Sequence, residues 1–186
     1  MKQATSIVNT KCHQGFTFLE LVVFIVVVSV GLIGVLSVFN QVTKNSVDPQ
    51  INKQMVLIAE AMMDEIQLQP YTWCDADDPN VTTVTSAVGC TIVNNIGPES
   101  GEFRGAGFDH VDDYNGYTST GIRDALNTPV AGLENYNMAV VVSNSALFGI
   151  TSSDALKILV VVTHVPTNSN FRVESWRTRY APNAVP

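Results

Sequence analysis

The chain has 186 residues, which is enough for one medium-sized domain and one additional element. Charged residues make up only 15% of it and apolar residues 46%, and this balance indicates an apolar segment beside an ordinary domain. The formal net charge is −7 and the lysines and arginines form no run, so the composition argues against nucleic-acid binding.

The first 15 residues contain Lys2 and Lys11 but no acidic residue, and the apolar stretch begins only at Phe16. An ordinary secretory signal places its apolar core before the cleavage site. Here the apolar core follows any cut at Gly15, and this reversed order is the unusual feature of the N-terminus.

A run of 19 uncharged residues extends from Leu21 to Phe39. As an α-helix it would span about 28 Å, close to the hydrocarbon thickness of a bilayer. Its many valines favour a strand on propensity alone, but buried strands seldom exceed about ten residues, so the length favours a membrane helix. The positive charges before the run predict a cytoplasmic N-terminus and a periplasmic C-terminal part.

Glu20 lies inside the apolar block, four residues after Phe16. A carboxylate near lipid needs a cationic partner, because an unpaired one is strongly unfavourable there. A cut before Phe16 would create an α-amine one helical turn away, in the same chain or in a neighbouring one. The alternative is that Glu20 reaches the membrane surface, since it lies near the end of the run.

The segment from Gly15 to Glu20, followed by the apolar run, resembles the processing site of type IV prepilins and type II secretion pseudopilins. The resemblance implies that a prepilin peptidase cleaves between Gly15 and Phe16 and that the new amine of Phe16 is N-methylated. It also implies that Glu20 forms an assembly salt bridge with the amine of an adjacent subunit. The implied partners are other major and minor pilins, the inner-membrane assembly platform and motor, and membrane lipid; no cofactor is implied.

A looser resemblance, to minor pilins of the mannose-sensitive haemagglutinin (MSHA) pilus of the MshD type, is carried by VDPQINKQMVLIAEAMMDEI, FDHVDDYNGY and WRTRYAP. The apolar run contains no proline, and a cysteine pair follows soon after the helix; both features favour a minor subunit. The resemblance implies a single-pass inner-membrane protein of a Gram-negative bacterium that enters a pilus at the cell surface. Its implied role is pilus assembly or initiation, and hence adhesion and surface attachment.

Of the three cysteines, Cys12 lies in the segment predicted to be removed. Cys74 and Cys90 remain, with 15 residues between them, and such a pair in a periplasmic domain is typical of a disulfide. Closing a loop of this size would stabilise the fold by about 3 kcal/mol in the chain-entropy model. Two buried free thiols are the alternative.

Asp48 and Pro49 fit either a helix start, with Asp48 as N-cap, or a kink in one continuous helix. The residues from there to Pro70, which predicts the helix end, place apolar side chains at steps of three and four. This pattern predicts a helix face that packs on a sheet, with a methionine-rich surface for partners as the alternative. The apolar positions are Val47, Ile51, Met55, Ile58, Met62 and Ile66.

Residues 70–135 hold eight of the twelve glycines and four of the eight prolines, so loops and turns are predicted there. Alternation predicts a strand beginning at Tyr136, and a continuous apolar run predicts a central strand at 156–165. After a turn at 166–170, residues 171–176 alternate as in a more exposed strand.

The expected fold is α+β, a type IV pilin fold. In it a long N-terminal helix, membrane-spanning in its first half, packs on an antiparallel sheet of about four strands. The predicted segments are a leader at 1–15, an apolar helix at 16–45 and a periplasmic domain at 46–186, which contains a helix at 48–69, a loop-rich part at 70–135 and strands within 136–180.

The sequence contains no nucleophile elbow, phosphate loop or histidine-rich metal motif, and we do not expect an enzyme. Asp109, Asp112 and Asp113 could supply oxygen ligands to calcium, but their spacing does not fit an EF-hand. A solvated turn with Asx caps is the favoured interpretation, so no metal is expected. The alternatives for the whole protein are a type II secretion pseudopilin and, in another class, a membrane-anchored periplasmic enzyme or binding module, which would gain from a pocket with two convergent titratable groups.

Overall fold

A computed structural model of the chain describes Gly15 and residues 17–184, and gives only the backbone for residues 41–48. The chain divides into two units, Met1–Asp48 and Pro49–Pro186, and each is described by itself. The predicted boundary between residues 45 and 46 stays a prediction. Helix α1 (Phe18–Leu68) passes through Pro49, so Asp48 and Pro49 lie inside one helix and do not start a second one.

The described part of the first unit is the apolar half of α1. Every side chain from Phe18 to Asn40 is exposed. By length and composition this segment of 23 residues is able to cross a membrane, and it is the one such segment among the described residues. The hydroxyl of Ser29 donates a hydrogen bond to the backbone oxygen of Ile25 at 2.7 Å, so this polar group is satisfied within the helix.

The second unit contains one antiparallel sheet, which confirms the predicted α+β fold. Among the described residues it has four strands in the spatial order β1, β2, β3, β4. Their bounds are β1 (Thr118–Thr120), β2 (Tyr136–Asn144), β3 (Ala155–His164) and β4 (Ser169–Thr178). The apolar strand β3 lies between β2 and β4, as its composition predicts, whereas β1 falls in the stretch predicted to be loops.

The hydrophobic core lies between the sheet and the Pro49–Leu68 part of α1. Met55, Met62 and Ile66 project from the helix and are at most 2% exposed. They pack with the inward side chains of β2 and β3, among them Val140 and Val160. The apolar stripe of α1 is therefore a core face, and the alternative of a methionine-rich partner surface is wrong for these two methionines.

Two hairpins connect the long strands. Between β3 and β4 the chain turns at 165–168, where Asn168 adopts a left-handed conformation with φ +52°. Because of this turn Ser169 already pairs with His164, so the strand begins inside the segment predicted to be the turn. Between β2 and β3 a longer connection, 145–154, contains a tight turn at Phe148 and Gly149.

The segment after β4 is held on the loop that follows α1. The guanidinium of Arg179 lies over the rings of Tyr71 and Trp73, at 4.1 and 4.0 Å from their centroids. The backbone N–H of Trp73 donates to the oxygen of Pro182 at 3.3 Å, and the side-chain amide of Asn183 donates to the oxygen of Val84 at 2.6 Å. The C-terminal segment therefore closes over the start of the loop-rich part.

Candidate functional site

The predicted processing segment leads directly into the first turn of α1. Thr17 precedes the helix, and its Oγ1 accepts a hydrogen bond from the backbone N–H of Glu20 at 3.3 Å. Its backbone oxygen accepts the N–H of Leu21 at 3.2 Å. Thr17 is thus the N-cap and Glu20 the third helical residue, which is the Thr-x-x-Glu pattern of a capping box. That pattern is readable in the sequence and would have located the helix start.

Gly15 is exposed, and a Cβ added to it would meet no described atom within 4 Å. Packing within the described residues therefore does not require glycine at this position, in keeping with a requirement imposed by a processing enzyme. Phe16 and residues 1–14 lie outside the described residues. The predicted cleavage between Gly15 and Phe16 and the N-methylation of Phe16 consequently stay predictions.

Glu20 is exposed at the N-terminal end of α1, inside the apolar segment. The unsatisfied backbone N–H groups of a first helical turn carry partial positive charge, so a carboxylate is favourable at this place. In the sequence, Glu20 is four positions after Phe16, where the predicted cleavage would create an amine. The predicted assembly salt bridge itself involves Phe16 and stays a prediction.

Cys74 and Cys90 form the predicted disulfide, and Cys74 is fully buried. Within the loop that it closes, the carboxylate of Asp78 accepts backbone N–H groups from Ile92 and Asn80. These hydrogen bonds lower the pKa of Asp78, and the one from Ile92 contributes most. The disulfide bond and the carboxylate of Asp78 together hold the two ends of a loop that has no regular strand of its own.

Three carboxylates, one from the residue after Cys74 and two from the turn at 99–102, meet beside this disulfide. Oxygens of Asp75, Glu99 and Glu102 lie within 4.8 Å of one another, and we call these three residues the acidic cluster. Asp75 also lies within the same distance of Asp109 and His110. The backbone N–H of Glu99 donates to Glu102 at 3.2 Å. The acidic cluster is thus the place where the loop-rich part concentrates negative charge.

The calcium candidates are directed to different partners. Asp113 accepts the backbone N–H groups of Asp109 and His110, at 2.9 and 2.7 Å, through one carboxylate oxygen. Asp112 accepts the side-chain amide of Asn94 at 3.1 Å. Asp112 and Asp113 are 3% and 0% exposed, so the expectation of a solvated turn is wrong, although carboxylate capping does occur. A calcium site at Asp109, Asp112 and Asp113 stays a prediction.

Burial raises the pKa values of several of these carboxyl groups. It raises the pKa of Asp113 to about 8, against the hydrogen bonds from His110 and Asp109, and the negative charges of Asp112 and Glu99 add to the increase. Burial also raises the pKa of Glu99 to about 7, together with its contacts to Glu102. At neutral pH part of the negative charge in this region is therefore neutralised by protons.

His110 is fully buried and connects two parts of the loop. Its Nε2 lies 2.6 Å from Oγ1 of Thr72, whose own hydroxyl proton is donated to the backbone oxygen of Cys74. Its Nδ1 lies 2.8 Å from a carboxylate oxygen of Asp109, so both ring nitrogens of this buried histidine contact polar groups.

An ion pair joins the loop-rich part to α1. Arg104, 5% exposed, donates from Nε and Nη2 to the two carboxylate oxygens of Glu65, each at 2.7 Å. Burial opposes the charge of Arg104, but the hydrogen bonds to Glu65 and Tyr117 prevail and raise its pKa. Tyr114 donates to the same Glu65 at 3.0 Å. This network positions the segment 104–117 against the helix.

The sequence analysis missed Asp75, Glu99, Glu102 and the pair of Glu65 with Arg104 as interacting groups. Asp75 lies 24 and 27 positions before Glu99 and Glu102, and Glu65 lies 39 positions before Arg104, so no periodic pattern connects these partners. Only the position of Glu65, off the apolar stripe of α1 but beside it, signals a polar partner at the edge of the core.

Residues 10–36 match a family model described as the prokaryotic N-terminal methylation motif. No curated protein and no solved structure matches the chain. The motif supports a type IV prepilin-like protein, processing by a prepilin peptidase and association with pilins in general. Together with the apolar half of α1 it fits a single-pass membrane-anchored protein.

Proposed function

We propose that this chain is a minor type IV pilin of the MSHA type, which takes part in pilus assembly or initiation and thereby in adhesion and surface attachment. The observation that carries the proposal is the methylation motif at 10–36, which continues into an apolar helix segment exposed along its whole length. Such a segment is stable in lipid or among like helices and unstable in water.

The proposed mechanism is structural and not catalytic. The apolar half of α1 holds the chain in the inner membrane with its N-terminus in the cytoplasm and the second unit in the periplasm. Cleavage after Gly15 creates the amine of Phe16, and Glu20 of a neighbouring subunit pairs with that amine. The assembly platform and motor then move the subunit into a fibre, where apolar helix surfaces bury one another.

Three features support a minor subunit over a major one. The segment Phe18–Asn40 contains no proline, and the disulfide of Cys74 and Cys90 closes a loop soon after α1. The segments that resemble MSHA minor pilins lie at 47–66, 108–117 and 176–182, in α1, the buried aspartate turn and the C-terminal segment. A type II secretion pseudopilin is the alternative in the same class, since the processing motif is common to both.

One observation favours the alternative of a periplasmic binding module or enzyme. The acidic cluster brings three carboxylates together, and burial raises the pKa of Glu99 to about 7, a value suited to proton exchange near neutral pH. We rank this alternative below the minor pilin and the pseudopilin, because it gives the membrane segment and the methylation motif no role beyond anchoring.

The experiment that tests the proposal is intact mass with N-terminal sequencing of the membrane-bound full-length chain, in cells with and without prepilin peptidase. We expect a chain that begins at N-methylated Phe16 only when the peptidase is present. A chain that keeps Met1, or that is cut elsewhere despite active peptidase, would contradict the proposal.

A matched pair of glycine variants separates processing from helix effects. Gly15→Leu is expected to abolish cleavage, whereas Gly31→Ala, at another glycine whose Cβ would meet no atom, is expected to leave cleavage unchanged. Quantitative mass spectrometry of sheared pili then distinguishes the subunit classes. A minor pilin is present in the fibres as a small fraction of the major pilin, and a pseudopilin is absent from them.

A further inference from the structure

The backbone holds the three carboxylates of the acidic cluster together. Asp75 follows Cys74 of the disulfide directly. Glu99 and Glu102 are the two ends of one turn, in which the backbone N–H of Glu102 donates to the backbone oxygen of Glu99 at 3.2 Å. The backbone N–H of Glu99 donates in return to a carboxylate oxygen of Glu102, also at 3.2 Å. The disulfide and the turn therefore keep like charges within 4.8 Å of one another, although such charges repel.

In the part of the chain that the structure describes, no lysine or arginine forms an ion pair with the acidic cluster. The ion pairs of these residue types lie elsewhere, and they are Arg104 with Glu65, Lys157 with Glu174, and Arg179 with Asp154. Asp75 is 3% exposed, and a buried carboxylate without a cation is unfavourable. The cluster therefore calls for positive charge that the neighbouring side chains do not provide.

Buried oxygen atoms without hydrogen-bond donors lie in the same region. Among the described residues, every carboxylate or amide oxygen that is buried without such a partner belongs to Asn94, Glu99 or Asp113. Asp75 accepts one hydrogen bond, through Oδ1 from the backbone N–H of Asp77 at 2.8 Å, and its carboxylate reaches the other two members of the cluster. Because buried oxygens are nearly always satisfied, this set of unpaired acceptors indicates a ligand that oxygens bind.

The distances fit one calcium ion. Three oxygens within 4.8 Å of one another surround a point that is at most about 2.8 Å from each of them, and calcium binds oxygens at about 2.3–2.6 Å. Shifts of a few tenths of an ångström therefore bring all three into contact with the ion. Glu102 also lines an open cavity of about 480 Å³, which gives the ion a path of entry and supplies water as further ligands.

The chemistry of the available groups selects the kind of ion. The imidazole beside the cluster, that of His110, contacts Thr72 and Asp109 through its two ring nitrogens, at 2.6 and 2.8 Å. The remaining donors are carboxylate oxygens, which suit calcium or magnesium better than zinc or copper. Magnesium requires a regular octahedron and retains most of its water, whereas calcium accepts the irregular arrangement that two loop segments provide.

We propose that Asp75, Glu99 and Glu102 bind one calcium ion. The ion connects the segment after Cys74 to the turn at 99–102 and so stabilises the loop-rich part of the second unit. This inference goes beyond the proposed function and does not depend on it, because all three ligands lie in the second unit and none in the methylation motif or the apolar half of α1.

Thermal melting of the full-length chain in detergent tests the site. The protein is first stripped with a chelator and then titrated with calcium chloride, magnesium chloride or, at equal ionic strength, potassium chloride. We expect calcium to raise the melting temperature, with half of the effect at about 0.1–1 mM, the range of extracellular calcium sites. Magnesium should need at least a tenfold higher concentration, and potassium should have no effect.

A double variant separates loss of the ligands from loss of the fold. Glu99→Gln with Glu102→Gln keeps the size of both side chains and removes their repulsion, so the melting temperature without calcium should be unchanged or higher. The calcium concentration for half of the effect should rise at least tenfold. The matched control Asp77→Asn removes an exposed carboxylate of the disulfide loop and should change that concentration by less than twofold.

Isothermal titration calorimetry of the same samples, below their melting temperatures, measures binding in the folded state and thus reports on the site even where a variant is less stable. Four results would each overturn the proposal. They are the absence of binding up to about 10 mM calcium, an equal effect of potassium, equal midpoints for calcium and magnesium, and full binding in the double variant.

Discussion

Two stretches of nearly the same composition have opposite structures in this chain. Residues 25–28 read Ile-Val-Val-Val and are helical and exposed, whereas residues 158–162 read Ile-Leu-Val-Val-Val and lie in strand β3. Ile25 is 54% exposed and Ile158 is 0% exposed. Valine content alone therefore decides neither secondary structure nor burial.

The difference lies in the length of each run and in its hydrogen-bond partners. The first run continues without charge for 19 residues, and its helix satisfies its own backbone groups, as lipid requires. The second is enclosed by Asp154 and Pro166, and its backbone groups pair with β2 and β4 on either side. We therefore expect mutations in the second unit to act on folding, and mutations in the apolar half of α1 to act on membrane insertion and assembly.

The largest effect is expected at the pair of Glu65 and Arg104, because the second unit depends on long-range partners that the first run lacks. Arg104→Met leaves Glu65 beside the core without its cation and should lower the free energy of unfolding by about 3–5 kcal/mol. Chemical denaturation of the full-length chain in detergent measures this change.

The control is Lys157→Met, which removes an ion pair to Glu174 whose members are 34% and 46% exposed, and it should change stability by less than about 1 kcal/mol. The double variant Glu65→Leu with Arg104→Met should regain part of the loss, since no charge is then left unpaired. Equal effects of Arg104→Met and Lys157→Met would refute the importance of the buried pair.

The most direct test of the difference between the two stretches is to shorten an isoleucine side chain in each of them. Ile158→Ala creates a cavity in the core and should lower the free energy of unfolding by about 2–5 kcal/mol. Ile25→Ala removes the same atoms from an exposed site and should leave unfolding of the second unit unchanged. Circular dichroism melts of the two variants measure both changes. A comparable loss of stability in Ile25→Ala would show that the two units are energetically coupled.

The disulfide is expected to have the next largest effect, because it restrains a loop-rich segment that few backbone ladders hold. Replacing Cys74 and Cys90 by alanine should lower stability by about 3 kcal/mol, the chain-entropy value for a loop of this size. A reducing agent should lower the melting temperature of the unmodified protein and leave the double variant unaffected. A reductant effect that persists in the double variant would assign the change to another cause.

For a change of one pH unit, the smallest expected effect is a pH dependence of the stability of the second unit. The pKa of Asp113 is about 8 in the folded chain and about 4 in an unfolded one, so the folded state keeps a proton in this range that the unfolded state has lost. The contribution of Asp113 to the free energy of unfolding is complete below pH 4 and is lost as the pH rises through 8. The loss is at most about 1.4 kcal/mol per pH unit.

Melting temperatures measured from pH 5 to pH 8.5 should therefore fall with pH. Asp113→Asn should make the curve flatter, since an amide oxygen still accepts the N–H groups of Asp109 and His110 but no longer titrates. The matched control Asp77→Asn changes an exposed carboxylate of the disulfide loop and should keep the original slope. An unchanged slope in Asp113→Asn would assign the dependence to other groups.

By itself, the sequence predicted what local pattern and length decide. It predicted the methylation segment, the membrane-length helix, the apolar face with Met55 and Met62, the three long strands and the pairing of Cys74 with Cys90. Each depends on neighbours within a few turns, on the uninterrupted length of an apolar run, or on a small number of cysteines.

The tertiary structure alone decided which polar groups meet. Arg104 and Glu65 are 39 positions apart, and Asp113 is buried although its sequence context, DHVDDYNG, is polar enough for a solvated turn. The three-residue strand β1 and the acidic cluster also follow from how the loops close over the sheet. The physical reason is that hydrogen bonds and ion pairs depend on distances between segments, which no repeating pattern along the chain encodes.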